Sequence, residues 1–210
     1  YNLYQAGVFT ALAPSLPAWR SVNGSDANSI IGDPLFNNPA GDDYHEPSTV
    51  GTWNPATQTF VARAAQSPAI DRGNPADAVG SEQATNGNII NLGAYGGTAE
   101  ASKSPSQFIL TARPTLGDTL FHNSTVTVTW FTFGITGNVN IAVSQGGPGG
   151  SFSDIATNTA NDGSFDWTVS SALTPGSDYA LRITSVNSPA ISGTVTGLIV
   201  SVPVTVYYVN

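Results

Sequence analysis

The segment Thr125-Val126-Thr127-Val128-Thr129-Trp130 alternates a hydroxyl side chain with an apolar one at every step. Successive side chains of an extended chain point to opposite sides, so this pattern makes one apolar face and one polar face, the signature of a half-buried strand. The same period of two returns in Asn138–Val143, Ser164–Val169 and Asp178–Thr184. Between these runs lie Gly134–Gly137, Gly146–Gly150, Asn161-Asp162-Gly163 and Pro175-Gly176-Ser177. These residues suit tight turns, because Gly and Asn accept positive φ and Pro presets φ. Two antiparallel sheets packed face to face account for the pattern. The predicted core is Val126, Val128, Trp130, Val139, Ile141, Val143, Ile155, Phe165, Trp167, Val169, Tyr179, Leu181 and Ile183. Full burial of such a side chain is worth about 1.5–3 kcal/mol, so half of this set can hold a small domain without a disulfide.

No disulfide is possible, because the 210 residues contain no Cys, which also excludes thiolate metal sites and Cys nucleophiles. Charged residues make up only 10% of the chain and the net charge is −8, with acidity in both halves. One Lys, Lys103, and five scattered Arg offer no basic patch, so nucleic acid is excluded as an expected partner. No apolar run is long enough to span a bilayer, and the first residues lack a basic leader, so membrane insertion is not expected. With no Met anywhere, Tyr1 is not an initiator residue, and the chain is expected to be a piece of a longer protein whose export signal lies upstream.

Residues 1–106 lack this regularity. Tyr1–Tyr4, Gly7–Thr10 and Thr59–Arg63 are predicted as short strands, Asp26–Phe36 as a short apolar strand followed by an Asp-Pro turn, Leu16–Trp19 as a turn with one anchoring aromatic, and residues 37–66 as a long insertion. Gly96–Ser106 is small and polar, as a domain boundary should be. The expected domains are therefore 1–106 and 107–210, with the tail 202–210 leading onward to another module.

Two family resemblances sharpen this division. Ser67-Pro68-Ala69-Ile70-Asp71-Arg72-Gly73, the later run Asn88–Gly96 and the earlier Asp26–Phe36 resemble the closing coils of secreted right-handed parallel β-helix proteins of the pectate-lyase-like type. The stretches Ser124–Trp130, Gly137–Ile141, Ile155–Thr157, Asn161–Val169 and Gly176–Ile183 resemble the Ser/Thr-rich Ig-like module of the Kre9/Knh1 family. The resemblances imply an all-β chain: terminal coils and cap of a parallel β-helix, then an Ig-like antiparallel sandwich. They imply an extracellular or cell-surface location, and they carry no catalytic residue across.

Chemistry-bearing residues are few. The two His are His45, beside Asp42, Asp43 and Glu46, and His122, expected in an exposed loop. Asp42, Asp43 and Glu46 offer carboxylates to a hard cation such as Ca2+, yet they lack the spacing of an EF-hand, and a solvated acidic loop is the plainer reading. No cofactor is otherwise expected. Asp71 is expected to accept turn amides. A glycosidase pair among Asp33, Asp42, Glu46 and Asp71 stays open at this level, whereas no Gly-x-Ser-x-Gly elbow is present. Candidates for stacking on sugar rings are Trp53, Tyr44, Trp19, Tyr207 and Tyr208, each with packing as its alternative role. Asn23-Gly24-Ser25 and Asn123-Ser124-Thr125 are acceptor sequences for N-linked glycans.

The function expected is that of a non-catalytic part of a secreted or cell-surface protein, serving adhesion, contact with polysaccharide or cell-wall glycan, or spacing of neighbouring modules. Two alternatives are an accessory part of a polysaccharide lyase or glycoside hydrolase with its catalytic rungs upstream, and a surface filament that self-associates through its Val-rich tail strand.

Overall fold

A computed structural model describes residues 1–5 and 15–204. The expected strand at Gly7–Thr10 and the end of the tail lie outside the described residues. The chain divides into two compact units, 1–106 and 107–210.

In the first unit, β1 (Leu3–Tyr4) and β2 (Ile30–Ile31) form a parallel pair, Leu3 opposite Ile30 and Tyr4 opposite Ile31. Stacked β-helix coils are not seen among the described residues. Helix α1 (Leu16–Asn23) replaces the turn expected at Leu16–Trp19. Ser15 caps it by accepting the Ala18 N–H at 3.3 Å, Pro17 sits in the first turn where no intrahelical donor is needed, and Gly24 at φ 66° closes it. Pro near a helix start and Pro in a turn look alike in sequence; the Ser15 cap decides between them. Asp26 ties the helix to the strands. Its carboxylate accepts Asn2 Nδ2 at 2.8 Å, Tyr4 Oη at 3.1 Å, Trp19 Nε1 at 2.9 Å and Ser29 Oγ at 2.7 Å. These donors, the Ser29 hydroxyl first, hold its pKa at about 2.

Strands β3 (Thr52–Asn54) and β4 (Thr59–Val61) form an antiparallel hairpin with Trp53 opposite Phe60. Part of the expected insertion is thus ordered structure, and β4 matches the strand expected at Thr59–Arg63. The remaining loops are knit by backbone bonds between distant segments, such as Leu92 N–H to Ala69 O at 2.9 Å, Gly73 N–H to Ile90 O at 2.8 Å and Lys103 N–H to Gly51 O at 2.8 Å. Ala69, Ile70, Ile89 and Ala101 are buried among these crossings.

The second unit contains β5 (Phe108–Arg113), β6 (Thr119–Phe121), β7 (Thr125–Phe133), β8 (Val139–Gln145), β9 (Phe152–Thr159), β10 (Ser164–Thr168), β11 (Gly176–Ser185) and β12 (Ser192–Ser201). One sheet has the order β10-β7-β5 and the other β6-β12-β11-β8-β9. All pairings are antiparallel except β12 with β6. The chain changes sheet between β5 and β6, at Pro114, which has no N–H to give to a ladder. Val128, Trp130 and Trp167 of the smaller sheet and Ile141, Tyr179, Leu181, Ile183, Leu198 and Val200 of the larger one belong to a single buried cluster. Each predicted core residue is in that cluster or packed against it, which is the arrangement of a β-sandwich. Ile109, Leu120, Leu198 and Val200 join it from strands whose alternation is too short or too interrupted to read in sequence. His122, expected in an exposed loop, is buried at the end of β6.

Two polar contacts lock the core. Tyr179 is fully buried and its hydroxyl donates to the Thr174 carbonyl at 2.6 Å, pinning the entry into β11. Trp130 Nε1 donates to Asn161 Oδ1 at 2.8 Å. Replacing Leu181→Ala should cost about 2–5 kcal/mol through the cavity left, and Tyr179→Phe about 1 kcal/mol through the lost bond to Thr174. Hydrogen exchange of the β11 amides in the full chain measures both; values near zero would mean that the sandwich does not close on these residues.

Candidate functional site

Ser67–Gly73 and Asn88–Gly96, the two segments that stand out in the sequence of the first unit, meet in three dimensions. Between them lies a set of buried polar side chains: His45, Glu46, Ser48, Ser67, Asp71, Glu82, Asn91, Ser102 and Ser104. A buried polar group costs free energy unless it finds a partner, so the bonding pattern shows what these residues do. Asn91 stands at the centre. Its Oδ1 accepts the Asp71 N–H at 2.9 Å, its Nδ2 donates to Ser102 O at 2.8 Å, and its own N–H donates to Glu82 Oε1 at 2.9 Å. Glu82 Oε1 also accepts the Gly97 N–H at 2.9 Å. Ser104 Oγ donates to Asp71 Oδ1 at 2.8 Å, Ser102 Oγ donates to Glu46 O, and Ser48 Oγ donates to Lys103 O at 2.6 Å.

Asp71 therefore takes a side-chain hydroxyl from the far segment, not the turn amide expected of it. Glycines let the chain come this close. A Cβ on Gly87, which has φ 61°, would lie 2.2 Å from Asp71 Oδ1, and one on Gly93, at φ 116°, 1.9 Å from Glu46 Oε1.

Glu46 differs from its neighbours. It is 1% exposed, and neither carboxyl oxygen has a hydrogen-bond partner among the described residues. Burial, with the charge of Glu82 adding to it, pushes its pKa up to about 7. Burial likewise pushes Asp71 up to about 7, the Ser104 hydroxyl and Arg72 working against the shift and Glu82 with it. Glu82 is raised by burial and partly relieved by the Gly97 and Asn91 amides. Nothing in the sequence around Glu82 marks it: no period, turn motif or charge cluster. Only the folded chain brings Asn91 and Gly97 to its carboxylate.

The acidic run splits up. Asp42 is exposed at φ 59°, whereas Asp43 turns to His45, Oδ1 lying 2.7 Å from Nδ1 and Oδ2 accepting Asn37 Nδ2. His45 is 2% exposed and stacks on Tyr95 with ring centres 3.6 Å apart, its Nε2 3.4 Å from Glu100. The solvated loop expected for His45 and Glu46 is thus corrected: both point inward, because the two residues continue a chain whose backbone is clamped by Ser102 and Asn37. Among the described residues no group of three His, Asp or Glu side chains is disposed to hold a metal ion, and Asp42, Asp43 and Glu46 do not converge.

The aromatic candidates also stand apart. Trp19 is bound through its indole to Asp26, and Trp53 packs edge-on against Phe60 at 5.2 Å while Lys103 Nζ lies 4.5 Å from the Phe60 ring centre. Tyr44 is 39% exposed and meets Phe36 edge-on at 5.4 Å. Tyr207 and Tyr208 lie outside the described residues. Phe36 leads to a feature that sequence reading missed. It lines a cleft of about 530 Å³ together with Asn2, Tyr4, Gln5, Glu46 and Gly93. One aromatic ring, a phenol and two side-chain amides on an apolar wall, with the Tyr4 hydroxyl and Asn2 Nδ2 held in place by Asp26, are groups that can hold a polyhydroxylated ligand. Asn2, Gln5 and Phe36 carry no spacing pattern that could have announced this.

The raised carboxyls set a direction for pH dependence. Glu46 and Asp71 are protonated when folded up to about 7 but ionise near 4 when unfolded, so their stabilising contribution is complete below about 4 and is lost as pH rises to about 7. Each should cost the first unit about 1.4 kcal/mol per pH unit across that window. Urea unfolding of the full chain at about pH 5 and pH 8 should show lower stability at the higher pH, with a shallower slope in Glu46→Gln and in Asp71→Asn. Equal stability at both would show that neither group is held protonated.

Residues 113–193 match the family model of the Kre9/KNH-like N-terminal Ig-like domain. The match runs from the last residue of β5 to the start of β12 and so covers most of the sandwich. No curated protein sequence matches the chain. No helix among the described residues is long and apolar enough to cross a membrane.

Proposed function

We propose that the chain is a non-catalytic part of an exported, surface-exposed protein, in which the first unit contacts polysaccharide through the cleft beside Phe36 and the sandwich serves as a rigid spacer. The observation that carries the reading is the make-up of that cleft: Phe36 and Tyr4 beside the amides of Asn2 and Gln5, in a volume of about 530 Å³. Sugar recognition combines an apolar ring face with groups that both donate and accept hydrogen bonds, and side-chain amides do both. The extracellular setting draws on the Kre9/KNH-like match, a family associated with yeast cell-wall and secreted proteins. In the sandwich, Trp130, Trp167 and Tyr179 are buried and serve its core, which favours spacing as its role.

The first unit is read as the closing part of a parallel β-helix. The parallel pairing of β1 with β2 and the interlocking of Ser67–Gly73 with Asn88–Gly96 support this. We assign the buried carboxyls to holding the loops together. Glu46 lines the cleft, but both of its carboxyl oxygens are buried, with Gly93 packed against Oε1, and Asp71 is packed against Gly87 and Ser104, whereas a general acid must present its oxygen to the substrate.

A glycan array probed with the full chain tests the reading. Binding should fall by about tenfold or more in Phe36→Ala, the ratio expected for losing one well-packed ring contact, and persist in Trp53→Ala. Binding lost only in Trp53→Ala would move the site to the β3–β4 hairpin and overturn the cleft. Absence of binding to any glycan would leave the spacer role alone.

A further inference from the structure

The connection from β6 to β7 is Phe121-His122-Asn123-Ser124-Thr125, and it contains one of the two N-glycan acceptor sequences. We propose that Asn123 is a site of N-linked glycosylation at which the first sugar packs on the ring of Phe121. The inference goes beyond polysaccharide contact and rests only on the export half of that reading.

The geometry of the turn carries it. Ser124 N–H donates to Phe121 O at 3.1 Å, closing a four-residue turn whose third residue, Asn123, has φ 61°. Positive φ at that position is the pattern of a type II turn, where Asn is tolerated. Ser124 Oγ donates to the same carbonyl at 2.7 Å, and the Asn123 N–H is held by Val169 O at 2.8 Å, so the backbone on both sides of the acceptor is fixed. The Asn123 side chain is exposed and its amide makes no hydrogen bond among the described residues. Thr125, whose hydroxyl completes the acceptor sequence, is also exposed at the first position of β7. Phe121 is 42% exposed and two residues before the acceptor, its backbone tied into the same turn. A sugar ring presents C–H groups on one face, and an aromatic ring is the surface on which that face packs.

The surroundings give the modification a physical consequence. β6 is the outer strand of the five-stranded sheet, and Phe121 lies opposite Ser201 near the exposed Ile199 and Val202 of the adjoining chain. An exposed apolar edge invites pairing with another chain, and a glycan at the turn would cover it. The other acceptor sequence, Asn23-Gly24-Ser25, has Ser21 in place of the aromatic and Ser in place of Thr, so it is an internal comparison.

The step joins Asn123 Nδ2 to C1 of an oligosaccharide carried on a lipid diphosphate, the donor and its transferase being supplied by the secretory pathway. The C1–O bond to the diphosphate breaks, the diphosphate leaves with the electron pair, and Nδ2 loses one proton.

The test secretes the full chain behind an added leader from a eukaryotic host and maps occupied sites by peptide mass spectrometry after glycosidase release. Asn123 should be occupied, and Thr125→Ala should abolish the modification. Phe121→Leu, which keeps an apolar side chain on the edge and removes the ring, should lower occupancy by about twofold or more, the least an aromatic contact is worth. Enzymatic removal of the glycan should lower Tm by about 4 °C in the unaltered chain and by less in Phe121→Leu. A secreted chain with Asn123 unmodified overturns the proposal. Equal occupancy and an equal Tm loss in both proteins overturn the role of Phe121. Neither result bears on glycan-array binding, so the cleft stands or falls separately.

Discussion

The sandwich depends on one packing contact: Val128, Trp130 and Trp167 of one sheet against Ile141, Leu181 and Ile183 of the other. With no Cys to cross-link the sheets, apolar burial and close fit must hold them together. The polar atoms in this core are placed where a partner is at hand, the Tyr179 hydroxyl on Thr174 and the Trp130 indole on Asn161. Gly193 belongs to the same requirement, since a Cβ there would stand 2.4 Å from the Ile109 carbonyl. On the outer face the chain is free to be polar, as in the Thr125, Thr127 and Thr129 series, or to cover itself locally, as Arg182 does over the Phe152 ring at 3.8 Å.

The first unit solves the same problem with different material. Among the described residues its strands are two or three residues long, and its buried apolar side chains are few, Leu16, Ala69, Ile70, Ile89 and Ala101. Buried Asn, Ser, Asp and Glu side chains instead join backbone segments that no sheet connects, with Asn91 satisfying three of them at once. Such a network has high stakes, because a partly satisfied member costs more than an apolar substitute would. Glu46, whose carboxyl makes no hydrogen bond among the described residues, bears this cost together with His45 Nε2 and Glu82 Oε2, and protonation is how the fold tolerates it at Glu46.

How much was legible follows from these two modes of construction. Period-two alternation writes the inner face of a strand directly into the sequence, so Val126 through Ile183 could be named as core in advance. β9, with the sequence Phe152–Thr159 at a sheet edge, shows no such alternation, because a strand paired on one side and bulged against β8 need not bury a continuous face. β12 was hidden by Gly193 and Gly197, which serve close approach rather than strand propensity. In the first unit the segments Ser67–Gly73 and Asn88–Gly96 were conspicuous, but the partners of Asp71 and Glu46 were not. Hydrogen bonds across 33 and 56 residues, Ser104 to Asp71 and Ser102 to Glu46, leave no periodic trace.

The sequence by itself determined the β class of the chain, the inward faces of the long strands, the change of character near residue 106 and the exclusion of disulfide and thiolate chemistry, because these follow from local alternation and composition. The tertiary structure alone decided that the acidic run would divide between solvent and interior, that Glu82 would join the buried network, and that Phe36 would share a cleft with Asn2 and Gln5. Those outcomes depend on which distant segments touch, and a side chain's charge state and accessibility are set by its neighbours in space rather than along the chain.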